Sequence, residues 1–215
     1  MQTFNLYSTA QMREAERRAG SEYGISLTML MDNAGNSLAR AALDMKPGNH
    51  VDVFCGQGNN GGDGYVCAAA LLRHGADVTV WGIGRGELSG DSLAGAAANA
   101  FEAAGGVVCP FTMDGSGVTS NCILIIDALF GTGLVRPLDG LYIHAVSVIN
   151  ASGIPVLSCD LPSGVDADTG RIMGAAVRAD RTLMLGLAKP ACVLPPGSGC
   201  FGELTTRCHS VSAKP

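Results

Sequence analysis

The sequence predicts an α/β protein: a mostly parallel sheet with helices on both faces. Three observations predict it. Segments of strand character alternate with segments of helical periodicity along most of the chain. The runs "CILII" and "PVLSC" are apolar throughout rather than alternating, as strands buried on both faces must be. The strand at 51–55 runs straight into a glycine-rich loop, "GQGNNGGDG", that leads to a helix, the order found where such sheets bind ligands.

The elements follow in order. Ser8 and Gln11 form a capping box opening a helix that ends near Gly20. Ser26 caps a second helix, with Leu27, Leu30, Ala34, Leu38 and Ala41 on one face. These two helices either cover the sheet or form a dimer face. Strand 51–55 then precedes helix 63–74, and strand 76–81 precedes helix 91–104. A short strand at 107–109 leads through a Gly/Ser-rich loop to strand 122–127 and helix 139–151. Strands at 155–159, 181–185 and near 201–207 complete the set. With no repeat, linker or low-complexity segment, residues 1–215 read as one domain.

Composition narrows the function. The 215 residues are 47% hydrophobic and 15% charged, with a formal charge of −5, which argues for a packed globular protein. No basic run exceeds Arg17-Arg18, so the clustered Lys/Arg footprint of a nucleic-acid surface is missing from the linear sequence. The start, "MQTFNLY", has neither the basic nor the apolar region of a secretory signal. No apolar run reaches membrane-spanning length. Eight scattered cysteines, without a C-x-x-C pair, fit a reducing compartment such as the cytoplasm. Cys192, Cys200 and Cys208 recur every eight residues beside His209, but read as ordinary thiols rather than a zinc site.

Ligands of open α/β sheets bind beyond the carboxyl ends of the strands, and four strand ends here carry unusual loops. In "GQGNNGGDG" the glycines free backbone N–H groups to cradle phosphate or ribose, and Asn59 and Asn60 add amide groups. Asp63 stands at the expected helix start, as a functional carboxylate or as a cap. The loop satisfies G-x-G-x-x-G, yet the second strand ends in Trp81-Gly82 without the acidic residue that holds a dinucleotide's ribose. Asp127 ends an apolar strand, where a carboxylate needs hydrogen bonds, an ion pair or a cation. Gly131-Thr132-Gly133 offers a second anion cradle, with Arg136 near it. In "DLPSG", proline and glycine fix the turn and so the direction of Asp160 and Ser163, for chemistry or for an Asx-turn. Asp166 and Asp168 read as solvated turn residues. Lys189, in "GLAKP", meets a phosphate or a carboxylate, or stays on the surface. No histidine falls in these loops. The phosphate loop, the nucleophile elbow and the H-E-x-x-H motif are absent.

Together, "GQGNNGGDGYVCAAALLRHGADV", "IIDALFGTGLVRPLDG", "DLPSGVDADTG" and "LGLAKP", with "MLMDNAG" near the start, resemble the NAD(P)H-hydrate epimerase family. The resemblance implies a Rossmann-like three-layer α/β/α sandwich, commonly a homodimer. It implies a substrate, NADH or NADPH hydrated at C6 of the nicotinamide ring, whose R and S forms are interconverted so that a separate S-specific dehydratase can repair it. Asn59, Asn60, Gly61, Gly62 and Asp63 would contact the hydrated cofactor, as would Gly131, Thr132, Gly133, Leu134, Val135, Arg136 and Pro137. Asp160 would bind near the reacting ring. Asn60, Asp127 and Ser163 would hold one potassium ion. An amide oxygen, one carboxylate and a serine oxygen are hard ligands, and a single negative charge suits a monovalent cation.

The reacting carbon of such a substrate carries a hydroxyl and a ring nitrogen, so its C–H is not acidic. Either the ring opens to an aldehyde and recloses, or hydroxide leaves and water returns from the other face. Both routes need an acid/base at the hydroxyl: Asp160 first, then Asp63, then Lys189. Two rivals remain at this stage. A non-catalytic nucleotide- or partner-binding scaffold of the same fold is disfavoured by the retained carboxylates. An NAD-dependent oxidoreductase is disfavoured by the missing acid after the second strand.

Overall fold

Seven strands form one sheet in the computed structural model, which describes residues 5–45, 50–84, 88–114 and 117–207. The strands are β1 (His50–Cys55), β2 (Asp77–Gly82), β3 (Val108–Pro110), β4 (Cys122–Ala128), β5 (Val156–Cys159), β6 (Arg181–Leu185) and β7 (Glu203–Arg207). The helices are α1 (Thr9–Tyr23), α2 (Leu27–Met45), α3 (Asn59–Arg73), α4 (Leu93–Ala103) and α5 (Gly140–Ala151). The strand order is β3-β2-β1-β4-β5-β6-β7, and every pairing is parallel. The order reverses between β1 and β4, and that switch point leaves a crevice at the carboxyl edge.

The apolar strands are buried on both faces, as their composition requires. Val51, Val53 and Cys55 of β1, with Leu124 and Ile126 of β4, pack with α2, α3 and α4. Their alternates Phe54 and Ile125 pack with Ala145, Val146 and Ile149 of α5 on the other face. A third cluster, around Leu161, Met184 and Phe201, closes the β6 end. Gly35 lets α2 approach α3, because a Cβ there would overlap Val66.

The amino-terminal edge carries a polar network instead of a site. Asp52 is fully buried and accepts hydrogen bonds from Thr119 N (2.8 Å), Thr119 Oγ1 (2.6 Å) and Trp81 Nε1 (3.2 Å). His50 bridges Asp77 (2.8 Å) and Thr79 (2.9 Å) beside it. These bonds satisfy a carboxylate that would otherwise be costly to bury.

Three expectations change. α1 runs past Gly20 to Tyr23, where Gly24 caps it at φ 67°. Leu27 is exposed, and the inner face of α2 is built instead from Met31, Ala34, Leu38, Ala41 and Ala42. α3 starts at Asn59, four residues before the expected 63. Cys208 and His209 lie outside the described residues, where no group of His, Cys, Asp or Glu suited to a metal otherwise occurs. No helix among the described residues is long and apolar enough to cross a membrane.

Candidate active site

The early start of α3 decides the geometry. Glycines 61, 62 and 64 suggest a loop, but each marks a close approach. A Cβ on Gly61 would overlap the Gly56 carbonyl oxygen, and one on Gly62 would overlap Met31. One on Gly64 would lie 2.6 Å from Ala128 Cβ and 2.8 Å from Cys55 Sγ. The helix therefore enters the sheet edge with Gly58 as its cap and no side-chain capping bond. Asp63 is thus not a cap. It lies one turn after Asn60 on the same helix face.

That face looks across the switch point to the loops after β4, β5 and β6. A Cβ on Gly131 would lie 3.0 Å from Asn60 Oδ1 and 3.2 Å from Asp160 Oδ2. Gly131 is therefore the gap on which both polar groups converge. The Asn60 amide is buried, and its Nδ2 has no hydrogen-bond partner among the described residues. A buried donor left without a partner is costly, and a ligand group relieves it.

Asp160 follows β5 in a left-handed backbone conformation, φ 65°, the single such non-glycine residue described. That conformation costs an L-residue about 1–2 kcal/mol, and such strain concentrates at functional sites. Its Oδ1 accepts from Leu185 N at 3.2 Å and from Lys189 Nζ. Lys189 is 1% exposed and also donates to Leu185 O at 2.7 Å. Of the alternatives left for it, the structure selects the carboxylate partner.

Asp127 is fully buried at the end of β4. It accepts from Ser158 Oγ (2.8 Å), Ser163 N (2.9 Å), Ser163 Oγ (2.5 Å) and Leu129 N (3.4 Å). Ser163 Oγ in turn accepts from Phe130 N at 2.9 Å, which ties the β5 turn to the residue before Gly131. All its donors are neutral, and no cationic side chain among the described residues pairs with it. Burial pushes its pKa up, and the Ser163, Ser158 and Leu129 bonds oppose that.

The rest of the expected binding residues divide. Asn59 is exposed at the mouth of α3. Beyond Gly131 and Thr132, the segment Gly133, Leu134, Val135, Arg136 and Pro137 lines an adjoining cavity of about 160 Å³, with Gln57, Phe130 and Tyr142. The Phe130 and Tyr142 rings lie 4.6 Å apart at its wall. Leu134 anchors the segment in the core, while Val135 is 82% exposed.

Two residues escaped the sequence reading. Asp168 is not a solvated turn residue: it accepts from Thr9 N (2.8 Å) and Thr9 Oγ1 (2.7 Å), pinning α1 against the carboxyl edge. Glu16 is the second. It faces the site from α1, and its signal was an acidic residue on the inward stripe Met12, Glu16, Ala19. Burial raises the Glu16 pKa, with Lys189 opposing and Asp160 adding to the shift. Asp63 is half-buried. Burial, then the charges of Asp160 and Glu16, hold its carboxyl well above the ordinary range, against the pull of Lys189. The site thus contains an ion-paired carboxylate, Asp160, beside the Gly131 gap, and a carboxyl, Asp63, whose pKa is held well above the ordinary range. Such a pair is equipped to give and take a proton.

Residues 27–191 match the family described as YjeF-related protein N-terminus. The chain belongs to this family. One relative is the NAD(P)H-hydrate epimerase of Limosilactobacillus fermentum, 33% identical over 207 residues, a match covering 94% of this chain and 95% of that protein. Another is the bifunctional NAD(P)H-hydrate repair enzyme Nnr of Thermofilum pendens, 41% identical over 204 residues, covering 91% of this chain and 38% of that protein. The chain spans 38–40% of the length of three such bifunctional relatives. The fold is also that of the yeast protein YNL200c in its crystal structure, with a TM-score of 0.78 and 24% identity over 94% of this chain and 87% of that one.

Proposed function

We propose that this chain is an NAD(P)H-hydrate epimerase, interconverting the R and S forms of NADH and NADPH hydrated at C6 of the nicotinamide ring. The observation that carries the reading is the convergence of Asn60 and Asp160 on the Gly131 gap, at the switch point where dinucleotides bind, with the charges of Asp63 and Asp160 in interaction. The relative of the same length named for this reaction supports it. The scaffold alternative gives no account of a strained, ion-paired Asp160 facing an unpaired amide.

The residues act as follows. The opening at Gly131 admits the ring against Asn60 and Asp160. Asp160, held by Lys189 and Leu185, is placed to take the hydroxyl proton. Asp63 is placed to supply one to the departing or returning oxygen. A positioned acid or base is worth about 10²–10⁴ in rate. The cavity lined by Arg136, Phe130 and Tyr142 receives the remainder of the dinucleotide.

We also propose that Asn60, Asp127 and Ser163 hold one potassium ion. The residues fit it: a buried carboxylate with only neutral donors, hard oxygen ligands, and a buried amide whose Nδ2 has no partner among the described residues. When bound, the ion supplies a fixed positive charge beside the ring. A potassium-dependent rise in Tm that Asp127→Asn abolishes supports this site. The same rise in the variant removes it.

The reading extends to a homodimer and to coupling with an S-specific dehydratase. Exposed Tyr23, Leu27 and Met29 between α1 and α2 support the first, and the bifunctional relatives support the second. Free cysteines throughout the described residues support a reducing, cytoplasmic setting.

The deciding experiment starts from pure R hydrate with a dehydratase that acts only on S. Added protein should make its turnover follow the amount added. If R persists at its spontaneous rate, the epimerase reading is wrong.

A further inference from the structure

The start of α1 is capped twice. Ser8 caps it locally, accepting from Gln11 N at 3.3 Å while Gln11 Oε1 accepts from Ser8 N at 2.8 Å. That box serves to begin the helix. The second cap comes from 159 residues away: Asp168 accepts from Thr9 N (2.8 Å) and Thr9 Oγ1 (2.7 Å). Thr9 is the first residue of α1. Its N–H is one of the free donors of a helix start, at the end where the helix dipole favours a carboxylate. A distant cap adds what a local one cannot: it fixes where the helix lies.

The turn that presents Asp168 is itself braced. Asp166 Oδ1 accepts from Thr169 N (2.8 Å) and Thr169 Oγ1 (2.6 Å), and Asp166 O accepts from Gly170 N at 2.9 Å. Val165 and Ile172 pair in an antiparallel bridge at its base. This hairpin leaves directly from the segment that carries Asp160 and Ser163. Its contacts fall on both sides of Lys189. Ahead of the lysine, the clamped amino-terminal segment meets Ala188: Leu6 pairs with it in a parallel bridge, and Tyr7 N donates to its carbonyl at 2.8 Å. Beyond the lysine, Ala191 N donates to Ala167 O at 3.0 Å, and Gly197 N donates to Gly170 O at 2.8 Å. One turn further along α1, Met12 packs on Gly186, where a Cβ would lie 2.7 Å from Met12 Cε.

We propose that Asp168 is a further positioning residue of this active site: by clamping the first turn of α1 over the loop after β6, it keeps the Lys189 ammonium seated on Asp160. The proposal rests on the epimerase reading of the same site.

The geometry of Asp160 makes that seat matter. Lys189 Nζ and Leu185 N both donate to its Oδ1. Oδ2 is the oxygen turned to the gap, 3.2 Å from the place of a Gly131 Cβ. Holding one oxygen aims the other. Leu185 N alone, at 3.2 Å, leaves the carboxylate one bond about which to turn. A lysine is among the side chains with most rotamer freedom to lose, so its seat depends on what surrounds it. Lys189 is 1% exposed, and its chain neighbours are held by the Leu6–Tyr7 segment on one side and the Asp168 hairpin on the other. Asp168 therefore acts at a distance, through Thr9, Ala188 and Lys189 in turn.

The test uses the full chain with Asp168→Ala and Asp168→Asn. The first readout is acylation of the Lys189 amine by acetic anhydride, read by mass spectrometry, beside hydrogen exchange of α1 and β4. In the parent, Lys189 should resist the reagent. In Asp168→Ala its labelling should speed up by about tenfold or more, the effect of losing one charge-assisted hydrogen bond from the closed state. α1 should exchange faster while β4 keeps the parental rate. Asparagine can still accept from Thr9 N and can donate to the Thr9 hydroxyl, so Asp168→Asn should restore protection. The second readout is R-to-S conversion. In Asp168→Ala, kcat should fall by about 10²-fold with KM little changed, and Asp168→Asn should recover it. Unchanged labelling in Asp168→Ala overturns the proposal. So does an unchanged kcat, or a β4 exchange that quickens in step with the labelling, which is what a general loss of stability gives. In each of these cases the epimerase reading stands as long as the parent converts the hydrate. If labelling rises and no form, the parent included, converts the hydrate, the epimerase reading fails and the control of Lys189 by Asp168 stands.

Discussion

Replacing Lys189 by methionine should destabilise the protein far more than an ordinary lysine change. The side chain is 1% exposed, and its ammonium donates to Asp160 Oδ1 and to Leu185 O at 2.7 Å. Methionine fills much of the same space but donates nothing. Asp160 would keep the 3.2 Å bond from Leu185 N to that same oxygen, and its charge would lose its partner. Breaking a buried pair by removing one member costs about 3–5 kcal/mol. In a chain of this size each kcal/mol moves Tm by about 2–4 °C, so Lys189→Met should lower it by roughly 6–20 °C. The assay is reversible denaturant unfolding of Lys189→Met, Asp160→Asn and the double variant. The double variant no longer buries an unpaired charge, so the cycle should return a coupling of about 2 kcal/mol. Asparagine suits Asp160 because it tolerates the φ of 65°. If Lys189→Met stays within about 1 kcal/mol of the parent, or the double variant equals the sum of the singles, the pair is not buried and coupled as described.

Further outcomes follow from the same geometry. Gly131→Ala should fold normally yet lose activity by about 10²-fold, because its Cβ would crowd Asn60 Oδ1 at 3.0 Å and Asp160 Oδ2 at 3.2 Å; R-to-S conversion beside a melting curve checks both halves. Gly61→Ala should instead cost about 1–3 kcal/mol by overlapping the Gly56 carbonyl, read by denaturant unfolding. Asp63→Asn should stabilise the fold while impairing turnover. A carboxyl held above its ordinary value of 3.8 takes up a proton on folding, so its cost is absent below about pH 4 and grows as pH rises toward the folded pKa. The Tm gain should therefore appear near pH 7 and vanish in acid; a gain of about 1 kcal/mol, or 2–4 °C, is the size expected when site strain is relieved.

Much of this arrangement was legible in the residues. Apolar runs such as "CILII" announced doubly buried strands, and the strand ends that carry Asp127, Asp160 and Lys189 do meet at one edge. The start of α3 was not legible, because Gly61, Gly62 and Gly64 have the composition of a loop. Their reason is contact with Gly56, Met31 and Ala128, partners brought near only by the fold. The roles of Asp168 and Glu16 were hidden for the same cause. Each acts across the chain, and neither sits in a local pattern that reports its partner. Lys189 shows the limit from the other side: its position past a strand end was visible, but burial against Asp160 was one of several options until the β5 and β6 loops were placed together.

The clamp between Thr9 and Asp168 joins positions 159 residues apart. Its consequence concerns synthesis. At about 5–20 residues per second, α1 leaves the ribosome roughly 8–30 s before the residue that docks it. During that interval the Met12–Ala19 stripe has no surface to cover, since the loop after β6 is not yet made. Loops that span so much chain close slowly and late. The nascent chain can complete the β1–α3–β2 unit early, but its acid–base edge comes together only when the earliest helix meets almost the last strand.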